Sequence, residues 1–217
     1  TLGGTLHDEL YGAALHEKGA LVVGASASKS NGKTDCWVVR LDGPLLTTKW
    51  ERLFGGSDVE TCHSVAVKGE DFFAAGWIGA SGKKQPYVAA LDEDGKSLWK
   101  KSFSVTGSAQ INDIALDTAG RLVAVGRFTS PVPVAAGYTL IFDDKGQKLV
   151  EKTSKASTGW TAVGAWADGS AWVMGAGGIA VSGTSTQTLH KVVTARLSSK
   201  AAVSETQEHD ETLVLTF

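Results

Sequence analysis

Phe72-Phe73-Ala74-Ala75-Gly76-Trp77-Ile78 is a short apolar run with a glycine inside its end, and variants of it recur along the chain. The glycine returns at Gly24, Gly76, Gly126 and Gly175, at spacings of 52, 50 and 49 residues. A run this short, without a 3.6-residue stripe or helix caps, reads as a buried strand. Before it, residues 61–67 alternate toward their end, and Lys68-Gly69-Glu70-Asp71 turns the chain. After it come a polar loop (79–85) and a third strand, Tyr87-Val88-Ala89-Ala90-Leu91. Asp92-Glu93-Asp94-Gly95 then reads as a hairpin turn whose glycine supplies a positive φ. Residues 97–103 alternate like an outer strand, so one copy is four antiparallel strands.

The other copies follow the same order. Strands are expected at 10–15, 20–26, 36–41 and 47–54, and at 111–116, 121–128, 138–142 and 147–153. The fourth copy is degenerate, with strands at 160–165, 171–175 and 192–197 and a weak polar one within 202–207. An apolar residue followed by Asp marks the third strand at Leu41-Asp42, Leu91-Asp92 and Phe142-Asp143, and Trp50 and Trp99 mark the outer strands. A period near fifty residues points to a radial or stacked β array. Four-stranded units of that length match the blades of a propeller. The expectation is one all-β domain, a β-propeller of four four-stranded blades. Its repeats fall at about 2–53, 54–103, 104–154 and 155–209. The first strand of each copy should lie innermost, where small residues such as Gly12-Ala13-Ala14 and Gly164-Ala165 ease crowding. Residues 211–217 read as a surplus strand that either fastens the ring or begins a further copy, which would make the chain a fragment of a larger propeller. The start at Thr1, with neither Met nor a signal peptide, reads as a processed or trimmed product.

The wording also resembles the bacterial SBBP-type β-propeller repeats. The likeness rests on Leu2-Gly3-Gly4 and Phe54-Gly55-Gly56, each followed by acidic residues, and on Trp37-Val38-Val39-Arg40-Leu41-Asp42. It covers the first two copies well, the third partly and the fourth in outline. It implies a propeller in a secreted or cell-surface bacterial protein, and it implies no reaction.

Bulk composition narrows the function classes. A net charge of −2 and a pI near 6.2 argue against a nucleic-acid surface, which needs a dense cationic face. Lys83-Lys84 and Lys100-Lys101 read as solvated pairs. No apolar stretch is long enough to insert across a bilayer. Cys36 and Cys62 are too few for a disulfide framework or a zinc site, and two separately buried thiols are preferred over a bridge between neighbouring copies.

The chemistry-bearing candidates are the acids Asp8, Glu9, Asp58, Glu60 and Asp113 and the tryptophans Trp160, Trp166 and Trp172. In a propeller the acids would sit near the channel mouth and hold a cation or polar ligand. The competing reading has each carboxylate accepting backbone N–H groups in its own turn, as a residue tied to the repeat usually does. The tryptophans suit either a ligand platform or the core. Asp92–Gly95 is not a calcium loop, because Lys96 and Phe103 stand where ligands are needed. Asn31-Gly32-Lys33-Thr34 lacks the first glycine and the helix of a phosphate loop. No catalytic residue, cofactor or metal ligand is assigned. The expected function is a non-catalytic module for protein–protein interaction or scaffolding, partnered by a protein or neighbouring domains. A lectin-like site for a glycan or small ligand is the alternative, and an enzyme with a dispersed site comes last.

Overall fold

The computed structural model describes residues 2–30, 33–80, 82–129, 135–153, 159–165, 171–179, 189–197 and 203–209. They form sixteen strands in four antiparallel sheets, each of four strands in chain order. The first sheet holds β1 (Asp8–His16), β2 (Gly19–Ser26), β3 (Asp35–Asp42) and β4 (Thr47–Phe54). The second holds β5 (Glu60–Lys68), β6 (Asp71–Ile78), β7 (Gln85–Leu91) and β8 (Ser97–Ser102). The third holds β9 (Ser108–Leu116), β10 (Leu122–Thr129), β11 (Ala135–Phe142) and β12 (Lys148–Thr153). The fourth holds β13 (Trp160–Ala165), β14 (Ala171–Ile179), β15 (Leu189–Leu197) and β16 (Val203–His209). The surplus strand expected at 211–217 lies outside the described residues.

The recurring glycine has a structural cause. In every sheet the first strand carries one extra residue, a β-bulge, at Tyr11, His63, Asn112 and Thr161. The glycine is the last residue paired before the bulge: Gly24 opposite Leu10, Gly76 opposite Cys62, Gly126 opposite Ile111 and Gly175 opposite Trp160. A Cβ there would overlap a carbonyl of the bulged strand, that of Glu9, Thr61, Gln110 or Gly159 respectively. A backbone carbonyl cannot swing aside, so Gly76→Ala should cost about 3 kcal/mol, toward the upper end of overpacking penalties. Gly164, in β13, has open space around its Cβ position. Gly164→Ala should leave the urea midpoint unchanged while Gly76→Ala lowers it; equal effects would remove the bulge as the cause.

First strands pack against one another in succession, β1 on β5, β5 on β9 and β9 on β13. Gly12 in β1 lies against the backbone of His63 and Ser64 in β5. The Ser64 hydroxyl donates to Asp113 Oδ1 in β9 (2.7 Å), and Val163 N–H in β13 donates to Asp113 Oδ2 (2.8 Å). The bulged side chains reach across the same seams: Tyr11 stacks on His63 with centroids 4.9 Å apart, and Asn112 donates to the Trp160 carbonyl (2.7 Å).

Outer strands lock the first sheet to the second and the second to the third. Trp50 of β4 donates its indole N–H to Glu93 O in the β7–β8 turn (2.9 Å), and its ring covers Gly95. Trp99 of β8 repeats this on the β11–β12 turn, donating to Asp144 O (2.8 Å) and covering Gly146. Two residues on, Arg52 donates to Gly95 O (3.0 Å) and Lys101 to Gly146 O (2.7 Å). Lys101 is therefore a latch rather than half of a solvated pair. The periodic Asp builds the turn: Asp92 Oδ1 accepts from Asp94 N–H and Lys96 N–H, and Asp143 Oδ1 from Lys145 N–H and Gln147 N–H. Gly95 and Gly146 both sit at φ 74°, a conformation that costs a side chain dearly.

The cysteines correct the sequence expectation. Cys36 of β3 and Cys62 of β5 form a disulfide with Cα atoms 5.0 Å apart, and both are fully buried. The parallel bridge of Thr34 to Val59 and the bond from Glu60 N–H to Thr34 O (2.8 Å) draw the two sheets together just before these residues. That register puts the two Cα atoms within bridging distance.

Candidate functional site

Most of the predicted acids are engaged within the fold. Asp8 is an anchor: its Oδ2 accepts Gly4 N–H (2.8 Å), and its Oδ1 accepts the Ser26 hydroxyl (2.5 Å) and Ser28 N–H (3.2 Å). Glu60 repeats the role in the second sheet, taking Gly56 N–H at 3.2 Å. The Gly-Gly-to-acid wording is thus a local clamp in which the acid accepts the N–H of the second glycine, four residues earlier. Glu9 pairs with His7 (2.8 Å) and accepts from the Tyr11 hydroxyl. Asp113 ties β5, β9 and β13, as described above. Asp58 is exposed beside Glu60, and together with Asp35 it adds like charge to a carboxylate already raised in pKa by burial. Among the described residues no three of His, Cys, Asp or Glu are grouped to hold a metal ion.

Hydrogen bonds, that from Ser26 first, hold the Asp8 carboxyl far below its usual 3.8, so its ionised form stabilises the fold. This contribution is complete above the unfolded pKa and fades as the pH falls from there toward the folded value. Asp8→Asn should therefore melt lower than the parent at pH 7, with the gap closing as the pH is taken below 3.8. A gap independent of pH would mean that shape rather than charge matters at this turn.

The tryptophans divide differently. Trp160 is 1% exposed and packs with Val123, Val125, Ile141 and Val173, so it belongs to the core. Trp172 lies on β14, paired with Gly164 and Arg196. Trp166 falls outside the described residues.

A different place gathers chemistry. The loop before β7 overhangs the start of β9 and the end of β10, leaving an open cleft of about 670 Å³ between the second and third sheets. Lys83, Lys84, Gln85, Val105, Ser108, Gln110, Arg127 and Thr129 are among the residues lining it. Backbone bonding fixes its walls: Ala109 N–H donates to Lys84 O (2.8 Å) and Lys84 N–H to the Ser108 hydroxyl (3.1 Å). The Lys84 ammonium lies 4.0 Å from the centre of the Trp77 ring and donates to Gln110 Oε1 (2.9 Å). The Gln110 amide in turn donates to Asn112 Oδ1 (2.6 Å), which fixes its orientation. Burial, then the nearby Arg127 cation, lowers the pKa of Lys84, while burial and Lys84 lower that of His63. Lys84 is therefore not half of a solvated pair: the fold seats it against an indole and brings Arg127 near it from the next sheet.

No family model matches the chain, and neither does any curated protein. Among solved structures it is similar to a protein of unknown function from Bacteroides caccae. The identity is 12%, the match covers 87% of this chain and 93% of that one, and the TM-score is 0.32. A likeness so distant carries no argument about fold or function.

Proposed function

We propose that the four sheets are blades of a β-propeller and that the protein is a non-catalytic module for interaction or scaffolding. Support comes from the consecutive packing of first strands, the repeated tryptophan latch, and the resemblance of the repeat wording to SBBP-type propellers. The observation that carries the interaction reading is the first sheet. Leu10, Tyr11 and Leu15 of β1 and Leu45 and Leu46 of the β3–β4 turn are exposed, with Leu15 at 87% and Leu45 at 86%. The corresponding strand β5 is largely buried, and β9 is buried or half-buried throughout. We read these exposed apolar side chains of the first sheet as a protein-contact surface. The disulfide fits an oxidising compartment and so a secreted or cell-surface setting. Among the described residues no helix is long and apolar enough to cross a membrane.

Sedimentation velocity over a concentration series tests this reading. The parent should associate as concentration rises, and Leu15→Lys with Leu45→Lys should abolish association without lowering the melting temperature. Identical sedimentation of both, up to the highest attainable concentration, would defeat it. A second reading, a site for a small ligand or glycan, is favoured by the cleft between the second and third sheets, and a glycan array tests it directly.

A further inference from the structure

We propose that the cleft between the second and third sheets is an oxyanion-binding site, taking a small acidic saccharide by its carboxylate or sulfate group. The proposal rests on the ligand-binding reading just given. Lys83, Lys84 and Arg127 all line this cleft, and among the described residues no carboxylate lines it. Several lysines elsewhere pair with acids, Lys18 with Glu93, Lys29 with Glu51, Lys68 with Asp144 and Lys148 with Glu151. Among the described residues, Lys83, Lys84 and Arg127 form no such pair. Two cations held close in a partly desolvated cleft repel each other, and a bound anion turns that repulsion into attraction from both sides.

The neutral groups suit the remainder of such a ligand. Gln110 is already held between Lys84 and Asn112, and Gln85 Oε1 already accepts Val105 N–H (2.7 Å), so both amides are fixed before anything binds. Ser108 and Thr129 add hydroxyls to the wall. The volume, about 670 Å³, lies inside the range of small-molecule sites. An inorganic oxyanion fills only a small part of it, which leaves room for one or two sugar rings. The Trp77 indole, beneath Lys84, keeps the ammonium in place without neutralising it.

Calorimetric titration of the full chain with glucuronate, glucose and inorganic phosphate tests the assignment. Glucuronate should bind, more weakly as salt is raised, and glucose should not. Lys84→Met and Arg127→Gln should each weaken glucuronate by about tenfold or more, as the loss of a charge-assisted hydrogen bond implies. Lys96→Gln, remote from the cleft, should change nothing. Melting curves of both variants without ligand, set beside the parent's, separate lost binding from lost folding. Phosphate binding that Lys84→Met abolishes supports the oxyanion site and assigns recognition to the charge alone. Glucose binding as tightly as glucuronate, or glucuronate binding unchanged in both variants, overturns the proposal. If no anion binds but a neutral glycan from the array does, the oxyanion site is refuted and the ligand-binding reading stands. If nothing binds, both fall.

Discussion

Trp50→Ala should lower stability by about 4 kcal/mol, within the range for losing a buried aromatic side chain. For a chain of this length that shifts the melting temperature down by roughly 8–16 °C. Trp50 is 8% exposed, lies 6.2 Å from Phe72 between ring centroids, and covers the Gly95 turn of the next sheet. Its removal opens a cavity at a seam between sheets and takes a donor from Glu93 O, which keeps its bond from Arg40 (2.8 Å). Trp99→Ala removes the equivalent latch one sheet later, yet that ring is only partly buried. Its cost should be about 2 kcal/mol, because less of the transfer and cavity energy is at stake. Urea unfolding of the two variants checks the order. A larger loss for Trp99 than for Trp50 would contradict a latch whose strength follows burial.

Replacing both cysteines, Cys36→Ala with Cys62→Ala, should cost about 3.5 kcal/mol, the chain-entropy value for closing a loop of this size. The bridge joins residues 26 apart in sequence and links β3 of one sheet to β5 of the next, so it restricts the unfolded chain across a sheet boundary. Both sulfurs are fully buried, which shields them from reductant in the folded state. Native protein should therefore resist dithiothreitol and take up a thiol-alkylating label only when reductant and denaturant are combined. Rapid labelling of folded, reductant-treated protein would show that the seam between the first two sheets opens readily. Equal urea midpoints for parent and double variant would show that the bridge adds nothing to the constraint already imposed by the Trp50 latch.

Strand positions, their grouping in fours and the turn chemistry were legible in the sequence, because they depend on local physics. Alternation and short apolar runs mark strands over a few residues, and an Asp followed by a glycine three positions on marks a turn whatever lies nearby. Gly24, Gly76, Gly126 and Gly175 showed the period but not its reason. That reason is a carbonyl on another strand, set by a bulge that no run of residues announces. The acids at Asp8, Glu60 and Asp113 stood out by type and spacing, yet only the structure shows which atoms they hold. Asp8 and Glu60 each clamp a glycine four residues back, and Asp113 bridges three first strands. Cys36 with Cys62, and Lys84 with Arg127, are pairs drawn from different copies, 26 and 43 residues apart. How one sheet seats on the next decides whether such side chains meet. That is a matter of long-range register, and it made a bridge of two thiols and a charged cleft of an unremarkable lysine pair.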